Sequence, residues 1–348
     1  MIDLFSDTKT KPTEAMRRAI ACAEVGDEQK FEDPTINRLR ERVCELLGKE
    51  DAVFLPSGTM ANEIAIAVHC RPGDEVIAEA GSHIVNYEGG GPAALAGVMV
   101  RAVTGPPGGV PGTFDAAALR AAVRGESRYF PRSRLVCVEQ TANTAGGRVW
   151  PLAQLQAVGD AAHAMGLATH MDGARLMNAV VAARVPAHVF AQACDSVWID
   201  FSKGLGCPVG AMLAGRRDFI AEAWRLKQRW GGALRQSGIL GAAALYALDH
   251  HVDRLAEDHA NARLLAASLA ELPGVGIDPS TVETNIVFFD VAGTALGAAT
   301  VCAALERRGV QMGAFGETVI RAVTHLDIRR EDVLQAVDVL REVLAARG

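Results

Sequence analysis

The sequence predicts an α/β protein, with parallel strands covered by helices on both faces and a smaller α/β unit after them. Three observations carry that expectation. Short apolar runs alternate with amphipathic stretches over most of the chain, the pattern of repeated strand–helix–strand units. The cuts between them carry turn chemistry: Arg71-Pro-Gly-Asp74, Gly105-Pro-Pro-Gly-Gly109, and Pro151 just ahead of a helix. After about Gly238 the pattern changes to a long Ala/Leu-rich helical region followed by shorter alternating elements.

Taken in order, Ala52–Leu55, Glu75–Ala78, Leu135–Glu139, Leu167–Met171 and Val197–Phe201 read as buried strands, each short and mostly apolar. Between them, Met60–His69, Phe114–Val123 and Leu152–Met165 have helical spacing. The later helical region runs from Ile239 to about Leu272 and stops at Pro273-Gly274. A strand (Asn285–Phe289), a helix (Leu296–Arg308), a strand (Val319–Val323) and a closing helix (Arg330–Ala346) complete the chain. The expected division is a large domain over 1–245 and a small C-terminal domain over 246–348, joined by the long helix.

Composition narrows the function. A chain of 348 residues has room for two domains, and 49% hydrophobic with 22% charged residues excludes disorder, collagen and coiled coil. A net charge of −6 gives no electrostatic reason to expect nucleic acid or an anionic membrane as partner. The longest apolar stretch, around Ile239 to Leu248, falls far short of the ~20 residues a membrane span needs, and no signal peptide is visible. The seven cysteines are scattered without a CxxC, so buried thiols in a reducing cytoplasm are expected rather than disulfides or zinc. No metal is expected. His250-His251 with Asp253 are near neighbours on a helix that point apart, and read as a solvated helix face.

Four pieces following strands carry chemistry. Lys203, in Phe201-Ser-Lys-Gly-Leu-Gly206, is delivered by an apolar strand into a small-residue turn; partial desolvation there disfavours the ammonium and frees a nucleophilic amine. Asp172 opens Asp172-Gly-Ala-Arg175. A buried carboxylate needs a cationic partner, and a protonated pyridine nitrogen would serve. Pro56-Ser-Gly-Thr-Met60 lies between a strand and a helix start, where N–H groups and hydroxyls bind phosphate. His83, in Ala80-Gly-Ser-His-Ile84, could stack on a flat ring. Singly, each has a plainer alternative: a solvated lysine, a helix cap, an exposed histidine. Together they line up beyond the carboxyl ends of separate strands, where open α/β sheets bind ligands.

That layout resembles the aspartate-aminotransferase-like, fold type I class of pyridoxal-phosphate enzymes. More narrowly, Ile2-Asp-Leu-Phe-Ser-Asp-Thr8, Glu32-Asp-Pro-Thr-Ile-Asn37, Pro56-Ser-Gly-Thr-Met-Ala-Asn62, His170-Met-Asp-Gly-Ala-Arg175, Phe201-Ser-Lys-Gly-Leu-Gly206 and Leu234-Arg-Gln-Ser-Gly238 are similar to the low-specificity L-threonine aldolases, over nearly the whole chain. The resemblance implies a large domain with a mostly parallel seven-stranded sheet between helices, a smaller C-terminal α/β domain, and pyridoxal 5'-phosphate as cofactor. It implies Lys203 as the Schiff-base lysine, Asp172 on the pyridine nitrogen, and His83 as stacking face. Ser57, Gly58 and Thr59 would hold the phosphate. Arg175 would reach the cofactor's phenolic oxygen or the substrate carboxylate. Arg321, with Ser6 as helper, would bind that carboxylate, and Arg235 a neighbouring subunit's cofactor, implying a homotetramer with shared active sites.

The implied reaction cleaves L-threonine, L-allo-threonine and related β-hydroxy-α-amino acids to glycine and an aldehyde. Departures from the family pattern fall at Ala142 in Glu139-Gln-Thr-Ala-Asn143, where histidine is usual, at Phe5, at Lys30-Phe31, and at Gln228 in place of a lysine. Without that histidine, His83 acting through a water is the main candidate base. The alternatives are a β-eliminating lyase or dehydratase giving a 2-oxo acid and ammonia, and a cofactor-binding scaffold without turnover.

Overall fold

A computed structural model describes residues 1–345. Its strands, in chain order, are β1 (Ile2–Asp3), β2 (Asp51–Leu55), β3 (Glu75–Glu79), β4 (Met99–Val103), β5 (Ser133–Glu139), β6 (Ala168–Gly173), β7 (Ser196–Asp200), β8 (Ala211–Gly215), β9 (Ile286–Asp290), β10 (Val310–Gln311), β11 (Gly313–Ala314) and β12 (Val319–Val323). A seven-stranded sheet has the order β2-β8-β7-β6-β5-β3-β4. Strands β4, β3, β5, β6 and β7 run parallel, and β8 runs against both its neighbours. This is the α/β architecture with a mostly parallel seven-stranded sheet that the resemblance implies.

The five strands expected in this region are all present, shifted by a residue or two. Two were not foreseen. β4 is an edge strand whose apolar run is interrupted by Arg101 and left half-exposed. β8 is built largely of Ala and Gly, which carry little strand preference. It is fully buried, and position rather than propensity makes it a strand.

The helical region after Gly238 is not one helix. It divides into Gly238–His250 and Leu255–Ala270. His251 ends the first and its Nδ1 lies 2.7 Å from the Leu205 carbonyl oxygen. His251 is therefore buried and tethered, not part of a solvated face, although its neighbour His250 is exposed. Ala243, Ala247 and Leu255 belong to the core around the large sheet, while residues from Ala262 to Val343, with Ile2 and Leu4, form a second core. On that basis we propose two domains divided at the turn after His250 rather than inside the helix at 245/246. The second core carries the antiparallel sheet β11-β12-β9, and the N-terminal β1 pairs with β10. The closing helix is Arg330–Ala345; its expected last residue, Ala346, lies outside the described residues.

All seven cysteines are free, four of them buried, while Cys22 is exposed, contrary to the expectation of buried thiols throughout. Among the described residues no helix is long and apolar enough to cross a membrane, and no three His, Cys, Asp or Glu could together hold a metal ion.

Candidate active site

Because β5, β6 and β7 are parallel neighbours, the residues at their carboxyl ends gather at one sheet edge. There a cavity of about 440 Å³ is lined by Asp172, Lys203, His83, Ser57, Gly58, Thr59, Arg175, Arg321 and Ser6. Nine of the ten residues singled out from sequence thus meet in one place. The tenth, Arg235, is outside this lining; its exposed side chain donates to Asp27 Oδ2 at 2.8 Å.

Asp172 is the next-to-last residue of β6 and is 4% exposed. Its Oδ1 accepts the Ala174 N–H at 3.0 Å, and its Oδ2 accepts Asn62 Nδ2 at 2.8 Å. Both donors are neutral. Burial pushes the Asp172 carboxyl up, against the opposing pull of Lys203 and the Asn62 amide. A cation arriving from the cavity would complete its surroundings. The Asn62 amide also donates to Glu88 Oε1 at 2.9 Å, and its oxygen accepts Trp198 Nε1 at 2.7 Å.

Lys203 sits in the turn after β7, its carbonyl held by Thr10 Oγ1 at 2.8 Å and by the Gly206 N–H at 2.9 Å. Its Nζ lies 3.0 Å from Asp200 Oδ2 and 5.7 Å from the Trp198 ring centre. The same indole explains Gly58: a Cβ there would fall 2.1 Å from the Trp198 ring, so only glycine lets the helix Gly58–His69 begin this close to the sheet. Ser57 caps that helix, its Oγ accepting the Met60 N–H at 3.2 Å. The N–H groups of Gly58 and Thr59 are in the first turn, which leaves them free of helical partners, and both residues line the cavity.

Arg175 and Arg321 are differently employed. Arg175, buried at the end of β6, is gripped by Asp7: Nε to Oδ2 at 2.8 Å and Nη2 to Oδ1 at 2.6 Å. Burial would raise the Asp7 carboxyl, but the Arg175 guanidinium outweighs it and holds it far below its ordinary value of 3.8. One Arg175 nitrogen, Nη1, remains toward Asn143 Oδ1 at 3.3 Å. Arg321, from β12, has only long contacts to Asn143 Oδ1 (3.4 Å) and the Phe5 carbonyl (3.3 Å), and its buried Nε has no partner. Burial and repulsion from Arg175 push its pKa down. Arg321 is thus a cation lacking an anion, and Ser6 lines the same cavity.

His83 Nδ1 lies 2.7 Å from Glu88 Oε1, and its backbone N–H donates to Glu139 Oε2 at 2.5 Å. Burial alone would lower the His83 pKa; the Glu88 carboxylate outweighs it and the net direction is up. Ala142 does not line the cavity. It is 4% exposed, and its methyl faces Gly112, where an added Cβ would come within 2.6 Å. The loop around Gly112 closes over the place where a larger side chain would start. Beside the exposed Gln228, Lys227 is fully buried with Nζ 2.6 Å from Glu28 Oε1.

Asp7, Asn62, Glu88, Glu139, Trp198 and Asp200 escaped individual notice in the sequence. Asp7 and Asn62 stand inside quoted motifs, and Asn62-Glu63 interrupts an otherwise apolar helix, a signal that buried polar groups need partners.

The chain matches the family model described as beta-eliminating lyase over residues 3–294. It is 41% identical over 336 residues to low-specificity L-threonine aldolase 1 of Arabidopsis thaliana, covering 95% of this chain and 93% of that one. It is 39% identical over 345 residues to the low specificity L-threonine aldolase of Escherichia coli (strain K12), covering 99% and 100%. Its fold superposes on the Leishmania major threonine aldolase with a TM-score of 0.82 at 20% identity, covering 99% and 100%.

Proposed function

Since the chain belongs to the beta-eliminating lyase family and, within it, to the low-specificity L-threonine aldolases, we propose that it binds pyridoxal 5'-phosphate and cleaves L-threonine, L-allo-threonine and related β-hydroxy-α-amino acids to glycine and an aldehyde. The observation that carries the reading is the company kept in one cavity: a lysine amine, a buried carboxylate with only neutral partners, and an arginine with an unpartnered buried N–H. These fit the cofactor's own chemistry. Lys203 would hold it through its amine, Asp172 would take the ring N–H, His83 would cover the ring, and Ser57, Gly58 and Thr59 would receive the phosphate. Bound there, the cofactor supplies an electron-accepting ring for the bond broken at the substrate's α carbon.

The protein's own groups then set which bond that is. Arg321 and Ser6 bind the α-carboxylate, and Arg175, immobilised by Asp7, fixes the near wall of the site. A guanidinium captures a carboxylate through two parallel bonds. Arg321→Lys keeps the charge but loses that fork, and should raise the KM for L-threonine by ~10–100-fold, the worth of a charge-assisted bond, with a smaller change in kcat. Steady-state kinetics check this, and an unchanged KM would place the carboxylate elsewhere.

Proton transfer from the β-hydroxyl falls to His83, directly or through a water, since Ala142 offers no group. A base works in its neutral form, above its pKa, and Glu88 raises that pKa. Glu88→Gln should therefore move the acidic limb of the kcat profile to lower pH. A limb that stays put would show that the base is not His83.

Arg235, exposed and away from its own cavity, would serve a neighbouring subunit's cofactor in a homotetramer, which light scattering on the purified protein tests. Free cysteines support a cytoplasmic location. The whole reading is tested by incubating the protein and pyridoxal phosphate with L-threonine and identifying products by mass spectrometry. Glycine and acetaldehyde are expected; 2-oxobutanoate and ammonia would instead make it a dehydratase.

A further inference from the structure

A chain of hydrogen bonds leads away from Asp172, between the helix Gly58–His69 and the sheet, toward the amino-terminal end of β7. Asn62 Oδ1 lies 3.2 Å from His170 Nε2; His170 Nδ1 lies 2.8 Å from Ser196 Oγ; and Ser196 Oγ lies 2.8 Å from His69 Nε2. His69 stacks on Phe219 with ring centres 4.7 Å apart, and lines a separate groove with Asp195 and Arg216. Asn62, His170 and Ser196 are completely buried.

The direction of every bond follows from one group that can only donate. Trp198 Nε1–H points at one end of the Asn62 amide at 2.7 Å, so that end is the oxygen. The other end is then the NH₂, which gives one hydrogen to Asp172 Oδ2 and the other to Glu88 Oε1. An amide oxygen only accepts, so His170 must carry its hydrogen on Nε2. Burial lowers the His170 pKa to about 3, leaving the ring neutral and Nδ1 an acceptor. Ser196 must therefore donate to Nδ1, and its oxygen must accept from His69 Nε2–H. All donors point inward and end on two carboxylates, one that faces the cavity and one that holds His83.

We propose that His69, Ser196, His170 and Asn62 are positioning residues, a one-way relay that keeps Asp172 anionic and fixes Glu88 against His83. The assignment of Asp172 to the cofactor's ring nitrogen is the reading given above, and the relay rests on it for its role but not for its proton positions. Burial drives Asp172 toward its neutral acid, which could not keep a ring nitrogen protonated. The Asn62 hydrogen opposes that drive only while the amide faces the right way. Were His170 protonated on Nδ1 instead, its Nε2 lone pair would face the Asn62 oxygen, and relief would come from turning the amide and presenting oxygen to Asp172.

Two measurements test this. Neutron diffraction from deuterium-exchanged crystals of the wild-type holoenzyme should show deuterium on Nε2 of both His69 and His170, none on His170 Nδ1, and the Ser196 deuterium directed at His170. Deuterium on His170 Nδ1 would overturn the relay. Titration of the apoprotein with pyridoxal phosphate should show Ser196→Ala binding it ~10-fold more weakly, as loss of an outer orienting partner does in metal sites, and Ser196→Thr, which keeps the hydroxyl, binding it as the wild type does. Equal binding by all three proteins would overturn the relay's role. Wild-type protein that takes up no pyridoxal phosphate would sink the functional reading instead. The neutron map of the same protein would still decide the proton positions, as it would if neither variant folds.

Discussion

Replacing Lys203 with alanine is expected to cut glycine release from L-threonine by ~10³-fold or more, the scale on which enzymes lose activity with their nucleophile. The fold itself should persist. The Lys203 side chain touches Asp200, and that carboxylate keeps the Ser202 N–H and O–H, each at 2.8 Å, when the ammonium is gone. The bonds that shape the turn are made by the Lys203 carbonyl and do not depend on the side chain. Asp200 is buried and loses its cation, so stability should fall by about 1–3 kcal/mol, the cost of an under-satisfied buried group. Borohydride reduction followed by mass spectrometry should find pyridoxal phosphate retained covalently on the wild type and absent from Lys203→Ala. Turnover within tenfold of wild type, with the fold intact by circular dichroism, would remove Lys203 from the chemistry.

Lys203 was legible because its signal is local. A polar residue after a continuous apolar run marks the carboxyl end of a buried strand, and parallel strands bring such ends together. The same logic exposed Asp172 and His83. Their partners were not legible that way. Asp7 comes from the N-terminal arm to meet Arg175 across 168 positions, and Asn62 meets Asp172 across 110. Such pairings are set by how the sheet and its covering helices stack, and nothing in the windows around Asp7 or Asn62 encodes them. Arg175 shows the consequence. From its motif it had two possible roles, and the unseen Asp7 occupies most of its donors, which is why the carboxylate is proposed for Arg321 instead. The long helix failed for a related reason. Its Ala/Leu composition is helical throughout, and the break falls where His251 meets the Leu205 carbonyl, a partner that only the folded chain supplies.

Glu28→Ala should destabilise the protein by about 3–5 kcal/mol, the cost of stripping one partner from a buried ion pair. Both members of the Glu28–Lys227 pair are completely buried. The carboxylate does more than face one charge: Oε1 accepts Lys227 Nζ and the Leu234 N–H, each at 2.6 Å, and Oε2 accepts Ser237 Oγ at 2.6 Å. Its removal leaves a cation, an amide and a hydroxyl without an acceptor. Lys227→Met should cost less, because Glu28 retains two donors and the new side chain still packs against Trp224, over whose ring Nζ now lies at 4.2 Å. In the Lys227→Met background, Glu28→Ala strands no charge, and its cost should fall to the ~1–3 kcal/mol of unpaired buried polar groups. Urea denaturation of the four proteins measures this cycle, and equal costs for the two single variants would refute the asymmetry. The pair also has a bearing on the site. The Glu28 N–H donates to the Arg235 carbonyl at 3.0 Å, and Gln29 Nε2 to that of Leu234 at 3.0 Å. The clasp that protects a buried charge thus also holds the segment carrying Arg235, so Glu28→Ala at a temperature where it remains folded should loosen Arg235 before it disturbs Lys203 or Asp172.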